Sequence, residues 1–234
     1  MDQLQRVYEA FTNNLIPKDI FELINSRFSL VLEGIARIEK ASGIKFPISY
    51  VEPSIIVSSG TNSFDYGILF ARTIPIFSNN SSQVIIQISA PLVAFGLKGT
   101  IHAILAHEFL HYLELISRIS KMNIISDEIS GNLFENIYSD YTRLLEPQSV
   151  FDDKTLLQHI IKKFPSGFRD YKLENKAVEL WIEKNLPISK INLDSNNVKL
   201  TVKSISKLKM DPALLKKLEQ IQIKNSRVRK KKIY

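Results

Sequence analysis

The residues in this chain whose types and spacing could carry chemistry are His107, Glu108 and His111, in the run ILAHEFLHYL at residues 104–113. On an α-helix, positions i and i+4 are neighbours on one face, so two imidazoles at that spacing can take adjacent corners of a zinc tetrahedron. A glutamate directly after the first histidine is placed to take a proton from an attacking water. The chain has no cysteine, which excludes disulfides and thiolate sites and leaves a transition metal to His, Asp and Glu.

A helical wheel tests the run further. With His107 at the origin, Ile101, Ile104, Leu105, Phe109, Tyr112, Leu115 and Ile116 form one apolar arc. Glu108 falls inside this arc and the two histidines fall along its edge. A carboxylate in such an arc is costly unless a cation compensates it, and zinc would supply that charge.

An open tetrahedral site needs a third protein ligand. The extended pattern with a third histidine is excluded, because Glu114 and Ser117 stand at the corresponding positions. His102 projects away from the pair and is expected to pack or face solvent, and His159 is expected on an ordinary helix face. On the helix expected over 127–146, Glu128, Glu135 and Glu146 stack opposite the apolar arc, as a solvated face does. In YKLENKAVELWIEKNLP the pattern reverses, with Tyr171, Leu173, Ala177, Val178, Leu180 and Trp181 around Glu174. Glu174 is therefore a second carboxylate in an apolar face and a candidate third ligand. A buried salt bridge is its alternative role, and Glu135 or Glu128 are the alternative ligands.

Together these features resemble the zincin metallopeptidases, and within them the gluzincin type, whose third ligand is a glutamate on a later helix. The resemblance implies an α+β fold with a zincin-like core: a small twisted sheet whose edge strand would be SQVIIQIS, then the HEFLH helix, then a glutamate helix containing ENKA. It implies a zinc metalloendopeptidase with Zn2+ held by His107, His111 and Glu174, and with Glu108 as general base. The substrate would be a peptide or protein lying extended along the edge strand, with Tyr112 or Tyr171 as candidates to stabilise the oxyanion. Val178 stands where many members carry an aspartate that supports a histidine ligand. That departure opens an alternative, a zincin fold kept for binding or scaffolding without turnover.

The elements that must position these residues follow from periodicity. Residues 2–42 are expected to be helical, broken at Asn13-Asn14 and restarted at Pro17, with Ile20, Phe21, Ile24, Phe28, Leu32 and Ile35 at helical spacing and Gly43 closing the segment. Residues 44–89 are β-like, and Val84, Ile86 and Ile88 alternate as a strand with one face on the core. GTNSFDYG at 60–67 is expected to be a turn. Helices are expected over about 100–120, 127–146, 153–163 and 173–184, a strand in VKLTVKSI at 198–205, and a last helix from Asp211-Pro212 to about residue 223. The expected organisation is an N-terminal helical segment (1–43), a catalytic domain (44–190), a C-terminal extension (191–223) and a basic tail (224–234).

With 234 residues, 44% hydrophobic and 24% charged, the composition is that of a globular protein with a sizeable core. The tail carries six basic residues and no acidic one, and so accounts for six of the net +7. It is expected to be a solvated, disordered end, with recruitment of the protease to nucleic acid as the alternative. No secretory signal and no apolar run long enough for a membrane span is evident, which makes a cytoplasmic location the expectation.

Overall fold

A computed structural model describes residues 2–59, 67–77, 82–120, 145–164, 168–192 and 211–232. The helix expected over 127–146 up to residue 144, the turn expected at 60–67 up to residue 66, and the strand at 198–205 lie outside the described residues. The described chain is mixed α and β, as expected.

Three helices open it: α1 (Gln5–Thr12), α2 (Lys18–Arg27) and α3 (Ser29–Ser42). Pro17 caps α2 in an extended conformation, and Gly43 ends α3 with φ of 63°, a left-handed value that favours glycine. The single helical stripe expected from Ile20 to Ile35 does not run through. The chain breaks at Phe28 between α2 and α3, which resets the buried face to Val31, Gly34 and Ile38 and leaves Leu32 47% exposed. Gly34 is where α3 crosses the long central helix. A Cβ there would stand 2.8 Å from the His102 ring and 2.9 Å from Leu105, so only glycine allows this approach.

Five strands follow: β1 (Ser49–Glu52), β2 (Ile55–Ser59), β3 (Gly67–Leu69), β4 (Ala71–Phe77) and β5 (Ser82–Ser89). The first sheet has the order β1-β5-β4, with β5 parallel to β1 and antiparallel to β4. SQVIIQIS is thus the central strand and not the edge expected from the sequence; β1 and β4 are the edges. The reason is visible in its burial. Residues 84–89 are buried on both faces, and the polar Gln87 among them is satisfied there, donating to Glu52 at 2.7 Å and accepting from Arg72. A strand buried on both faces and paired on both sides belongs in the middle of a sheet.

Helix α4 (Ala90–Phe95) turns the chain into α5 (Lys98–Ser120), which carries the HEFLH run. From Thr100 to Ser117 only Tyr112 is not buried. The wheel's single arc is incomplete, since Ala103, Ala106, Leu110 and Leu113 form a second apolar surface on the far side. Packed against β4 and β5 on one side and helices on the others, α5 is the axis of the fold.

After it come α6 (Pro147–Val150), α7 (Lys154–Lys163) and α8 (Tyr171–Ala177), the last running into a π-helical turn, Val178–Ile182. Strand β6 (Ile188–Asn192) then pairs in parallel with β2, giving a second sheet of order β3-β2-β6. The boundary drawn at 190 falls inside β6. One hydrophobic cluster runs from Val7 in α1 through Phe109, Phe151 and Trp181 to Ile221 in the final helix.

That final helix, α9 (Pro212–Lys232), corrects the reading of the tail as a disordered end. It is continuous because Leu218, Ile221 and Asn225 form a buried stripe, and Asn225 accepts the Glu146 backbone N–H at 2.8 Å. Lys216, Lys224, Arg227 and Lys230 are exposed. No helix among the described residues is long and apolar enough to cross a membrane.

Candidate metal centre

His107 and His111 sit on successive turns of α5 with their rings nearly perpendicular, at 87°, and their centroids 4.5 Å apart. The two Nε2 atoms face each other at 3.0 Å. One ligand atom from each of His107, Glu108 and His111 lies within 4.8 Å of the others, and among the described residues this is the group that could hold a metal ion. All three side chains are buried.

The donor set suits zinc. Bonds of about 2.0–2.1 Å in a tetrahedron put two nitrogen ligands about 3.3 Å apart, a few tenths of an ångström from the separation between these Nε2 atoms. The i, i+4 spacing produces this approach directly, since one turn separates the two residues.

Neighbouring elements fix the triad. Thr73 on the edge strand β4 is buried, and its Oγ1 lies 2.9 Å from the Glu108 carbonyl and 3.0 Å from Glu108 Oε2. Its single hydroxyl proton can serve either acceptor, so β4 holds the glutamate in place. Phe164, at the end of α7, stacks face to face on His107 with centroids 3.9 Å apart and planes 5° from parallel. Phe168 packs against both Phe164 and Phe70. These aromatics and Ile68, Leu69, Ala71 and Ile104 line a partly open pocket of about 90 Å³ at the triad. On the other side of His111, Glu114 Oε2 lies 3.7 Å from Nδ1, and Glu114 Oε1 accepts the Leu145 N–H at 3.2 Å.

Glu174 is not in the 4.8 Å group and does not line the cavity. It is half-buried on α8, whose start is tied down by Asp170. That residue accepts from the Leu173 N–H at 3.3 Å, from Thr100 Oγ1 at 2.9 Å, and from Lys163 Nζ. Burial raises the Glu174 carboxyl above its usual range, and the nearby Asp170 charge raises it further. Glu128 and Glu135 lie outside the described residues. Neither Tyr112 nor Tyr171 lines the cavity, and Tyr171 is 72% exposed.

The other two histidines have structural roles. His102 is buried between α3 and α5, with Nε2 3.2 Å from the Leu30 carbonyl and Nδ1 3.4 Å from Arg37 Nη1. Burial and the Arg37 charge both lower its pKa, so it packs as a neutral ring. The His159 ring packs over Gly99.

The wheel found the triad but passed over three residues that contact it. Glu114 could have been found, since it lies three residues beyond His111 on the same helix face. Thr73 also left a signal, as a polar residue at an inward position of a strand. Phe164 left none, because its approach depends on how α7 packs.

Compared with protein-family models, curated protein sequences and solved structures, the chain matches none.

Proposed function

We propose that this chain is a zinc-dependent metallopeptidase with a zincin-like core. The observation that carries the reading is the approach of two buried imidazole Nε2 atoms to 3.0 Å beside a carboxylate of the same helix. His107 and His111 would hold the zinc. Glu174 is the proposed third ligand, and it reaches the pair only with a change in its side chain or in the position of α8. When bound, zinc supplies a Lewis acid that polarises the scissile carbonyl and acidifies water.

The chain's own residues account for the proton transfers. Glu108 takes the proton of the attacking water and delivers it to the leaving amine. Thr73 restrains Glu108 Oε2 and so orients the carboxylate. The strand that carries Thr73 is one of the two sheet edges, with a strand partner on one side only among the described residues. An extended peptide adding to β4 would therefore pass beside Glu108. Phe164 and Phe168 line the pocket at the site and would limit the water that reaches it.

The test pairs zinc content with peptide hydrolysis, with and without a chelator. Zinc near one equivalent and chelator-sensitive hydrolysis are expected, and hydrolysis that a chelator leaves unchanged contradicts the reading. A second reading, a zincin-like fold that binds without turnover, is favoured by the 7% exposure of Glu108 behind the aromatic wall. It predicts bound zinc and no hydrolysis.

A further inference from the structure

Glu114 is 2% exposed, one of the most buried carboxylates among the described residues. It lies on α5 three residues after His111 and seven after His107, on the same side of the helix as both. Its two oxygens face different groups. Oε1 accepts the backbone N–H of Leu145 at 3.2 Å, and Oε2 stands 3.7 Å from His111 Nδ1, beyond hydrogen-bond distance but close for a charge. The imidazole of His111 therefore lies between two groups: Nδ1 faces the Glu114 carboxylate and Nε2 faces His107. Glu114 does not join the group of atoms that could hold the metal. It is an outer neighbour of one ligand.

A neutral imidazole carries one N–H, and the partner of one nitrogen decides which nitrogen that is. A carboxylate accepts but does not donate, so it selects a proton on the nitrogen that faces it. We propose that Glu114 is the positioning residue of this centre: the charge of its carboxylate, 3.7 Å from His111 Nδ1, favours the ring proton on Nδ1, which leaves the Nε2 lone pair directed into the site. The inference rests on the metal reading above. The Leu145 N–H strengthens the arrangement, because it anchors the carboxylate at its second oxygen. In the metal-free protein the same assignment makes His111 Nε2 the acceptor and His107 Nε2–H the donor across their 3.0 Å contact.

Glu114→Gln separates positioning from simple packing. The amide oxygen can still accept from Leu145, so the backbone anchor is kept. The amide nitrogen then faces Nδ1 as a donor, which moves the imidazole proton to Nε2 and blocks the ligating lone pair. The measurement is zinc affinity by competition with a chromophoric chelator, taken beside the melting temperature of the metal-free protein. Affinity is expected to fall roughly 10- to 100-fold in Glu114→Gln, with the metal-free melting temperature close to wild type. Affinity within twofold of wild type overturns the inference while leaving the metal reading intact. A wild-type protein that binds no zinc removes both.

Should Glu114→Gln fail to fold, the wild type decides. Nitrogen-15 chemical shifts of the histidine rings in the metal-free protein, at a pH where they are neutral, should place the His111 proton on Nδ1. A proton on His111 Nε2 overturns the proposal.

Discussion

Helices α5 and α8 each carry a glutamate that a helical wheel sets in an apolar arc, yet only one of the two is gathered into a site. On α5, Glu108 and the histidines on the adjoining turns converge within 4.8 Å. On α8, Glu174 stays half-buried beside Asp170 and apart from that group. The spacing within α5 is fixed by covalent geometry, since i, i+3 and i+4 neighbours meet in any α-helix. The distance from Glu174 to His107 depends on how two helices pack, which no wheel contains. The wheel also misjudged α8 itself. Leu173, Ala177 and Trp181 form the buried stripe, while Tyr171, Val178 and Leu180 are exposed. Beyond Ala177 the bonds become i→i−5, as in Glu183 N–H to the Val178 carbonyl at 2.9 Å, so a 3.6-residue period no longer assigns faces.

The largest effect is expected at the proposed general base. Glu108→Gln is expected to lower peptide hydrolysis by roughly 10²- to 10⁴-fold while zinc stays near one equivalent. Lost zinc, or undiminished turnover, would remove Glu108 from that role. On the other helix, Trp181→Ala should cost about 3–5 kcal/mol in chemical denaturation. The indole is fully buried and donates from Nε1 to the Pro187 carbonyl at 2.9 Å, so both packing and a hydrogen bond are lost.

The third ligand sharpens the contrast further. Glu174→Ala should lower zinc content and Glu135→Ala should not, and the reverse pattern would transfer the ligand role away from α8. A smaller effect is expected at β4, where Thr73→Val removes one hydrogen bond to Glu108. A loss of about 1 kcal/mol, read as several-fold slower hydrolysis with unchanged zinc, is the expected outcome. Unchanged kinetics would leave Thr73 with a packing role alone.

The smallest effect lies away from the centre. Arg37 pairs with both oxygens of Asp153, at 2.7 and 2.9 Å, and its hydrogen bonds hold that carboxyl at about 2, below the usual 3.8. A carboxyl depressed by folding contributes stability at pH above its unfolded value, and this contribution is lost as pH falls through the folded one. Stability should therefore decline from about pH 4 towards pH 2 through this pair, and Asp153→Asn should flatten that part of the profile. An identical acid profile in the variant would show that the pair contributes nothing.

What the sequence made legible follows the same division between local and distant geometry. The triad, the long helix, the restart at Pro17, the close at Gly43 and the start of the last helix all depend on residues a few positions apart, and these were readable. Pairing was not. SQVIIQIS alternates like an edge strand, but pairing with β1 on one side and β4 on the other places it in the centre. The basic run at the end carries charge that suggests solvation, yet Asn225 and the apolar stripe before it keep the chain helical to Lys232. Strand β6 was missed because ISKIN is too short and mixed to announce itself, and it forms only because β2 offers a parallel edge.

The central claim is that His107 and His111 hold a zinc ion through facing Nε2 atoms. The most direct test is the zinc-to-protein ratio of purified wild type beside a His107→Ala, His111→Ala double variant, with folding of both checked by circular dichroism. A ratio near one in the wild type and near zero in a folded double variant is expected. Zinc-free wild type, or equal zinc in both, would contradict the claim.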